Sequence, residues 1–446
     1  MKRLILPLLL GIAALALAAF GPDPDSTAVP GSGIVAPPAI RILASSYTVN
    51  FPEGIVFRLE AESDAPITDV VFYYRVGDRR ITVYGYPNFT PGGRVITQFN
   101  MDTGVRGFLP LGTEIEYSYS LTDAAGNTLE TEPQTLTYLD TRYDWKRVEL
   151  DNLTVLYHDR SEQDVMWAAQ EVSDRLGAVR ELFGLAGSKP GTAVILNNPI
   201  EAERSFPMVS QTAGNVHLYA GFAFSQYNLF VLMGLDPDGM VHEMVHLLVG
   251  EKASSPLSFV PSWLNEGLAM YFEDSGAGYD RDLSKAIREN RLIPIRHMTN
   301  QPGKPEDVIL FYAQANSFVR YLMDEKGSEA MSKVMGEIAF GRKADDALQA
   351  AYGVSLDDLE SEWRASIGAP LPERTPTPAP VLEGSAANNG AVQPSDEPSV
   401  PQTVSEPDAS GPRSLSPAYT SGAIVGVVVV AGAVTMLLRV RRRMRG

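Results

Sequence analysis

His242 and His246 stand four positions apart in the run Val241-His242-Glu243-Met244-Val245-His246-Leu247-Leu248. On a helix, residues four apart share a face, so the two imidazoles can bind one zinc ion side by side. Glu243 lies along the same surface, where it can take a proton from water activated by that ion. Asp236 and Pro237 read as the cap and first residue of the helix. The flanking Met240, Val241, Met244, Val245, Leu247 and Leu248 make it apolar almost all round, so it is expected to be buried. Two buried histidines and a buried glutamate are costly without a metal or other partners. The spacing therefore points to a metal site rather than to two surface histidines. A catalytic zinc needs a third protein ligand and an open position. The next helical run, from Ser262 to Glu273, offers Glu266, 20 positions after His246.

The elements that must hold these residues begin near residue 145. Asn152 to His158 reads as a strand, and Ser161 as the N-cap of a helix with Asp164 three residues on. Val165, Ala169, Val172, Leu176, Val179 and Phe183 then mark one helical face, closed by Gly184. Thr192 to Leu196 and Asn215 to Phe224 read as further strands. The last third is helical, with Leu356, Leu359 and Trp363 on one stripe. This predicts an α+β domain over 145–368. Before it, 40–143 reads as strands with period-2 alternation, in Ile55–Ala61, in part of Val70–Val76 and in Glu114–Leu121. Turn signals fall at Pro91-Gly92-Gly93 and Asp123–Asn127. Short strands with regular turns predict a β-sandwich.

The pattern His-Glu-x-x-His followed by Trp263-Leu264-Asn265-Glu266-Gly267-x-Ala269 resembles the gluzincin metallopeptidases. The glutamate helix resembles that of the aminopeptidase N family, and the His–Glu spacing that of thermolysin. The best overall match is the peptidase MA-like group, over roughly 145–368, including Tyr312–Leu322 and Ala351–Trp363. The resemblance implies a zincin fold: a strand–helix–strand upper layer over a mainly helical lower layer, with one zinc ion between. It also implies a zinc metallopeptidase, with Glu243 as general base and Tyr312 as a donor to the oxyanion. His297 is a second, weaker candidate for that donor and reads more readily as a loop residue; His158 and His217 read as strand residues without catalytic duty. Two departures stand out. No GAMEN-like strand lies upstream, which favours an endopeptidase over an aminopeptidase. Position 270 is Met, where thermolysin-like enzymes place an Asp that orients a ligand histidine. Asn265 and Glu273 are candidates for that duty, although each reads more readily as a solvated or capping residue. The upstream Tyr117–Asn127 stretch resembles immunoglobulin-like or fibronectin type III-like modules.

Composition bounds the remaining possibilities. The 446 residues carry no cysteine, which excludes disulfides, thiol nucleophiles and thiolate metal sites. A net charge of −17 makes the chain a poor nucleic-acid binder. Residues 1–20 read as a signal peptide, with Met1-Lys2-Arg3 before an apolar run, and 21–39 as a linker. Eleven prolines lie in 369–418, which reads as an extended stalk. Residues 421–438 are uncharged and long enough to span a bilayer, and 439–446 form an Arg-rich tail expected to stay cytoplasmic. The expectation is a membrane-anchored, bacterial zinc peptidase whose bulk faces outward and acts on a peptide or protein substrate. The competing expectation is an inactive zincin-fold surface protein that binds a cell-wall or surface partner through its β-sandwich. The retained Glu243 favours the enzyme.

Overall fold

A computed structural model describes residues 39–77, 81–207, 220–273 and 279–371. The expected signal peptide, leader linker, transmembrane segment, Arg-rich tail and His217 lie outside these residues, as does the stalk from 372 onward. No helix among the described residues is long and apolar enough to cross a membrane.

Strands β1 (Ile40–Asn50), β2 (Gly54–Val76), β3 (Val83–Gly85), β4 (Gly92–Asp102), β5 (Glu114–Asp123), β6 (Thr128–Glu130) and β7 (Gln134–Thr137) form one antiparallel sheet. Its centre is β2, with 23 residues. A straight strand of that length would span about 75 Å. Yet Phe57 and Phe72, both on β2, have ring centroids 4.8 Å apart, so the strand must fold back on itself. The pairing registers of β2 shift between Glu62 and Asp69, where Pro66 cannot donate to a ladder. The first half of β2 pairs with β1 and β4, and the second half with β3 and β5. Two layers face each other around Phe57, Leu59, Phe72, Tyr117 and Leu121. The expected sandwich is thus corrected in one respect. Its two layers are one hydrogen-bonded sheet, because the runs at 55–61 and 70–76 are a single bent strand.

A second sheet has the order β11 (Gly221–Phe224), β12 (Leu229–Met233), β10 (Gly191–Leu196), β9 (Leu153–Tyr157), β8 (Lys146–Glu149). The three inner strands are parallel and the two outer ones antiparallel to their neighbours. Helix α1 (Glu162–Phe183) makes the crossover from β9 to β10; Ser161 caps it, and Gly184 ends it in the left-handed region. All six apolar residues of its predicted stripe are buried.

The second sheet is covered on both sides, which is why β9, β10 and β12 read as nearly continuous apolar runs. Val155, Ile195, Phe230 and Leu232 pack in the same core as α1 and α3 (Pro237–Lys252). Their neighbours Leu156, Val194, Leu196 and Val231 pack in another core with Leu111. Phe51 and Phe108 of the N-terminal sheet region close that second core. The other α-helices among the described residues are α2 (Pro199–Ser205), α4 (Ser262–Phe272), α5 (Asp280–Arg288), α6 (Pro305–Asp324), α7 (Ser328–Ala339), α8 (Ala344–Tyr352) and α9 (Leu356–Ser366). A chain of aromatic contacts, Trp263–Phe318 at 5.2 Å and Phe318–Trp363 at 5.5 Å, ties α4 to α6 and α9.

Candidate metal centre

Helix α3 carries His242, Glu243 and His246, and every residue from Gly239 to Val249 is buried. It starts at Pro237, as predicted, with Asp236 in the cap position but making no side-chain capping bond to the helix. Helix α4 brings Glu266 to the same place. One ligand atom from each of His242, His246 and Glu266 lies within 4.8 Å of the others. Glu266 Oε2 is 3.6 Å from His242 Nε2 and 3.7 Å from His246 Nε2. Two ligands 2.0–2.1 Å from one tetrahedral centre stand roughly 3.3 Å apart, so the three atoms sit close to the spacing one ion requires.

Both ring nitrogens of each histidine have a defined role. His242 Nδ1 lies 2.6 Å from Glu273 Oε2, and His246 Nδ1 lies 2.9 Å from Asn265 Oδ1. Those oxygens accept, so each Nδ1 carries a hydrogen and each Nε2 points toward Glu266, where it would present its lone pair to a bound cation. Glu273 does take the C-cap position of α4, but neither it nor Asn265 is merely solvated or capping. Both lie on α4 or at its end, and both orient a ligand histidine.

The chemistry of the donor set fits a divalent cation. His242 Nε2, His246 Nε2, Glu266 Oε2 and both oxygens of Glu243 are buried and make no hydrogen bond. Such orphaned acceptors are costly unless a cation or water meets them. Three buried carboxylates, Glu243, Glu266 and Glu273, surround two imidazoles. Without a cation, burial works against a charge on His242, but Glu273, Glu266 and Glu243 outweigh it and raise the ring to about 10. Burial, together with the charge on His242, pushes His246 well below the usual imidazole range. Burial pushes Glu243 up to about 8, opposed by His242 and reinforced by Glu266 and Glu273. Burial likewise raises Glu266. A positive charge at the shared point would relieve these carboxylates together.

Three further residues build the site and were not singled out from the sequence. Arg175 on α1 donates to Asp238 Oδ1 at 2.7 Å and to the Phe272 carbonyl at 2.8 Å, stitching the start of α3 to the end of α4. Gln301 Nε2 donates to Glu266 Oε1 at 2.9 Å and to Tyr312 Oη at 3.0 Å. Gly221 lies against Glu243: a Cβ there would stand 2.7 Å from Glu243 Oε1. An arginine on a polar helix face and a glutamine in a loop carry no local signal of such duties. Tyr312 is buried on α6 and joins the shell behind Glu266 through Gln301. His297 is exposed at the end of a 3₁₀ turn whose first residue, Ile295, is buried. His158 is buried between Tyr143 and Trp145, with Nε2 3.2 Å from Glu201.

A His-Glu-x-x-His helix closed by a glutamate from the next helix defines a gluzincin-type centre. Residues 174–369 match the profile of the Peptidase MA superfamily, in agreement with the gluzincin-like arrangement of the site. No curated protein matches the chain. Among solved structures, it is similar to OgpA from Akkermansia muciniphila at 11% identity, over 23% of this chain and 29% of that one, with a TM-score of 0.18. It is similar to a two-domain M1 zinc metallopeptidase variant bound to L-arginine at 12% identity, over 75% and 95%, with a TM-score of 0.36. An aminopeptidase N family protein from Idiomarina loihiensis aligns at 9% identity, over 72% and 73%, with a TM-score of 0.29. The chain spans less than a third of the OgpA chain.

Proposed function

We propose that the protein is a zinc-dependent endopeptidase. The observation that carries this reading is Glu243. Both of its oxygens are buried without a hydrogen bond, on the same helix as two converging, unpartnered His Nε2 atoms. His242, His246 and Glu266 would hold the ion. Bound there, zinc supplies a Lewis acid for the scissile carbonyl and lowers the pKa of the attacking water. Glu243 accepts the proton that the water loses and delivers it to the leaving amine, so that peptide and water become acid and amine. Glu273 and Asn265 hold the two imidazoles in the required tautomer.

Among the described residues, β11 is the edge strand beside β12, and its first residue lies against Glu243. An edge strand can pair an extended peptide. The residues of β11, Gly221-Phe222-Ala223-Phe224, are all buried and uncharged; the lack of a GAMEN-like stretch upstream is what supports cleavage within a chain. We further propose that the enzyme is tethered outside the membrane, on the uncharged stretch 421–438 followed by arginines.

The test uses the whole chain with Glu243→Gln. Zinc content should stay near one ion per chain, while turnover of a peptide library should fall about 10²–10⁴-fold. Wild type and variant equally inert on that library would instead favour a binding protein.

A further inference from the structure

We propose that Gln301 is a positioning residue that holds the ligand Glu266 and aims the hydroxyl of Tyr312. This rests on the zinc reading above. The orientation of the amide follows from its partner. An ionised carboxylate only accepts, so the atom 2.9 Å from Glu266 Oε1 must be the amide nitrogen. That nitrogen has two hydrogens, and its second contact is Tyr312 Oη at 3.0 Å. The phenol oxygen is therefore an acceptor from Gln301, and its own hydrogen must point elsewhere.

Two consequences follow. Glu266 Oε1 is engaged by the amide, so Oε2, which makes no hydrogen bond, is left to face His242 and His246. Glu266 then serves through a single oxygen. The rotation of the Tyr312 hydroxyl is also restricted, because one of its lone pairs is occupied. A single side chain thus couples the metal ligand to the only tyrosine on α6 that the sequence marks for the reaction.

The loop bearing Gln301 is docked on the helix it serves. Helix α4 has no side-chain N-cap. Its first N–H groups are met by that loop instead: Ser262 N donates to the Thr299 carbonyl at 3.0 Å, and Trp263 N to the Met298 carbonyl at 3.2 Å. Those bonds fill the place of a cap and fix residues 298 and 299 to the first turn of the helix that carries Glu266. Met298 is buried, which anchors the loop further.

The test compares wild type with Gln301→Met, which has nearly the same shape and no donor, in the full chain. Gln301→Leu serves as a second variant should Met misfold. Three quantities are read: zinc affinity by chelator competition, the visible absorption of the cobalt-substituted protein, and kcat separately from KM. We expect zinc to bind about 10–100-fold more weakly, as when an outer partner of a ligand is lost. The cobalt bands should shift, and kcat should fall with little change in KM. The melting temperature of the metal-free protein should stay at the wild-type value. If wild type binds zinc and both variants match its affinity and cobalt spectrum, Gln301 has no positioning role and this proposal falls alone. If wild type binds no zinc, the metal reading falls and takes this one with it.

Discussion

Glu273 Oε2 lies 2.6 Å from His242 Nδ1, and Glu273 follows the ligand Glu266 by two helical turns. Residues seven apart share a helix face, so one face of α4 supplies both a ligand and the carboxylate that orients another ligand. Thermolysin-like enzymes place that carboxylate four residues after the glutamate. Here Met270 occupies that position and is buried in the core, and the duty falls to Glu273 one turn later. Glu273→Ala should weaken zinc binding about 10–100-fold and leave the helices folded. Chelator competition with far-ultraviolet circular dichroism checks this; unchanged affinity would show that the hydrogen bond has no bearing on the metal.

Gly221 is where β11 passes Glu243. An added Cβ would meet Glu243 Oε1 at 2.7 Å and Leu232 Cδ1 at 2.8 Å, so a neighbour has to move. Gly221→Ala should displace the Glu243 carboxylate and lower kcat, with zinc content unchanged because no ligand is touched. Titrating zinc and measuring turnover on the same sample separates the two effects. Full turnover would mean that the strand yields instead of the base.

Gly267 sits where α4 crosses α6. A Cβ at this position would stand 2.6 Å from the Ala315 carbonyl oxygen and 2.3 Å from Val319 Cγ2. A backbone oxygen cannot swing aside as a flexible side chain can. Overpacking of this kind costs about 1–3 kcal/mol, so Gly267→Ala should lower the urea midpoint by a corresponding amount. It should also loosen the seating of Glu266, its neighbour in sequence. A variant as stable as wild type would mean that the helices part at no cost.

Asp123 contributes to acid stability in the N-terminal sheet. Its carboxylate accepts from Asn127 Nδ2 and Ser63 Oγ, and from the backbone N–H groups of Ala125 and Asn127. The Asn127 side chain leads in holding its pKa below 3.8, burial opposes, and Ser63 and the two N–H groups add to the lowering. A depressed folded value means that the unfolded chain binds the proton more readily. The contribution is thus present above pH 3.8 and is lost as pH falls through the lower folded value. Asp123→Asn should be less stable than wild type at neutral pH, and the two unfolding curves should converge in acid. Curves that stay parallel from neutral pH into acid would remove Asp123 from the acid response.

Much of the site was legible before any coordinates. His242, Glu243 and His246 are within one helical turn, so spacing alone places them on neighbouring faces. Glu266 was legible because its helix carries a dense local pattern, in which Gly267 is demanded by the approach of α6. Helix α1 was legible from its capping and its stripe. The strand Leu229–Met233 was missed, because a short apolar run buried on both faces has no alternation to reveal it. The single bent strand β2 was read as two, since the irregular stretch around Pro66 looks like a break in sequence and is a bend in space.

The sequence by itself determined the chemistry: which atoms could bind a metal, which carboxylate could move a proton, and that the helix bearing them must be buried. Those properties follow from residue type and helical period, which act over four residues. Only the tertiary structure decided what holds those atoms in place. Glu273 reaches His242 across 31 positions, Gln301 reaches Glu266 across 35, and Arg175 reaches Phe272 across 97. Hydrogen bonds between segments so far apart depend on how helices and loops pack. No local pattern of residues encodes that packing.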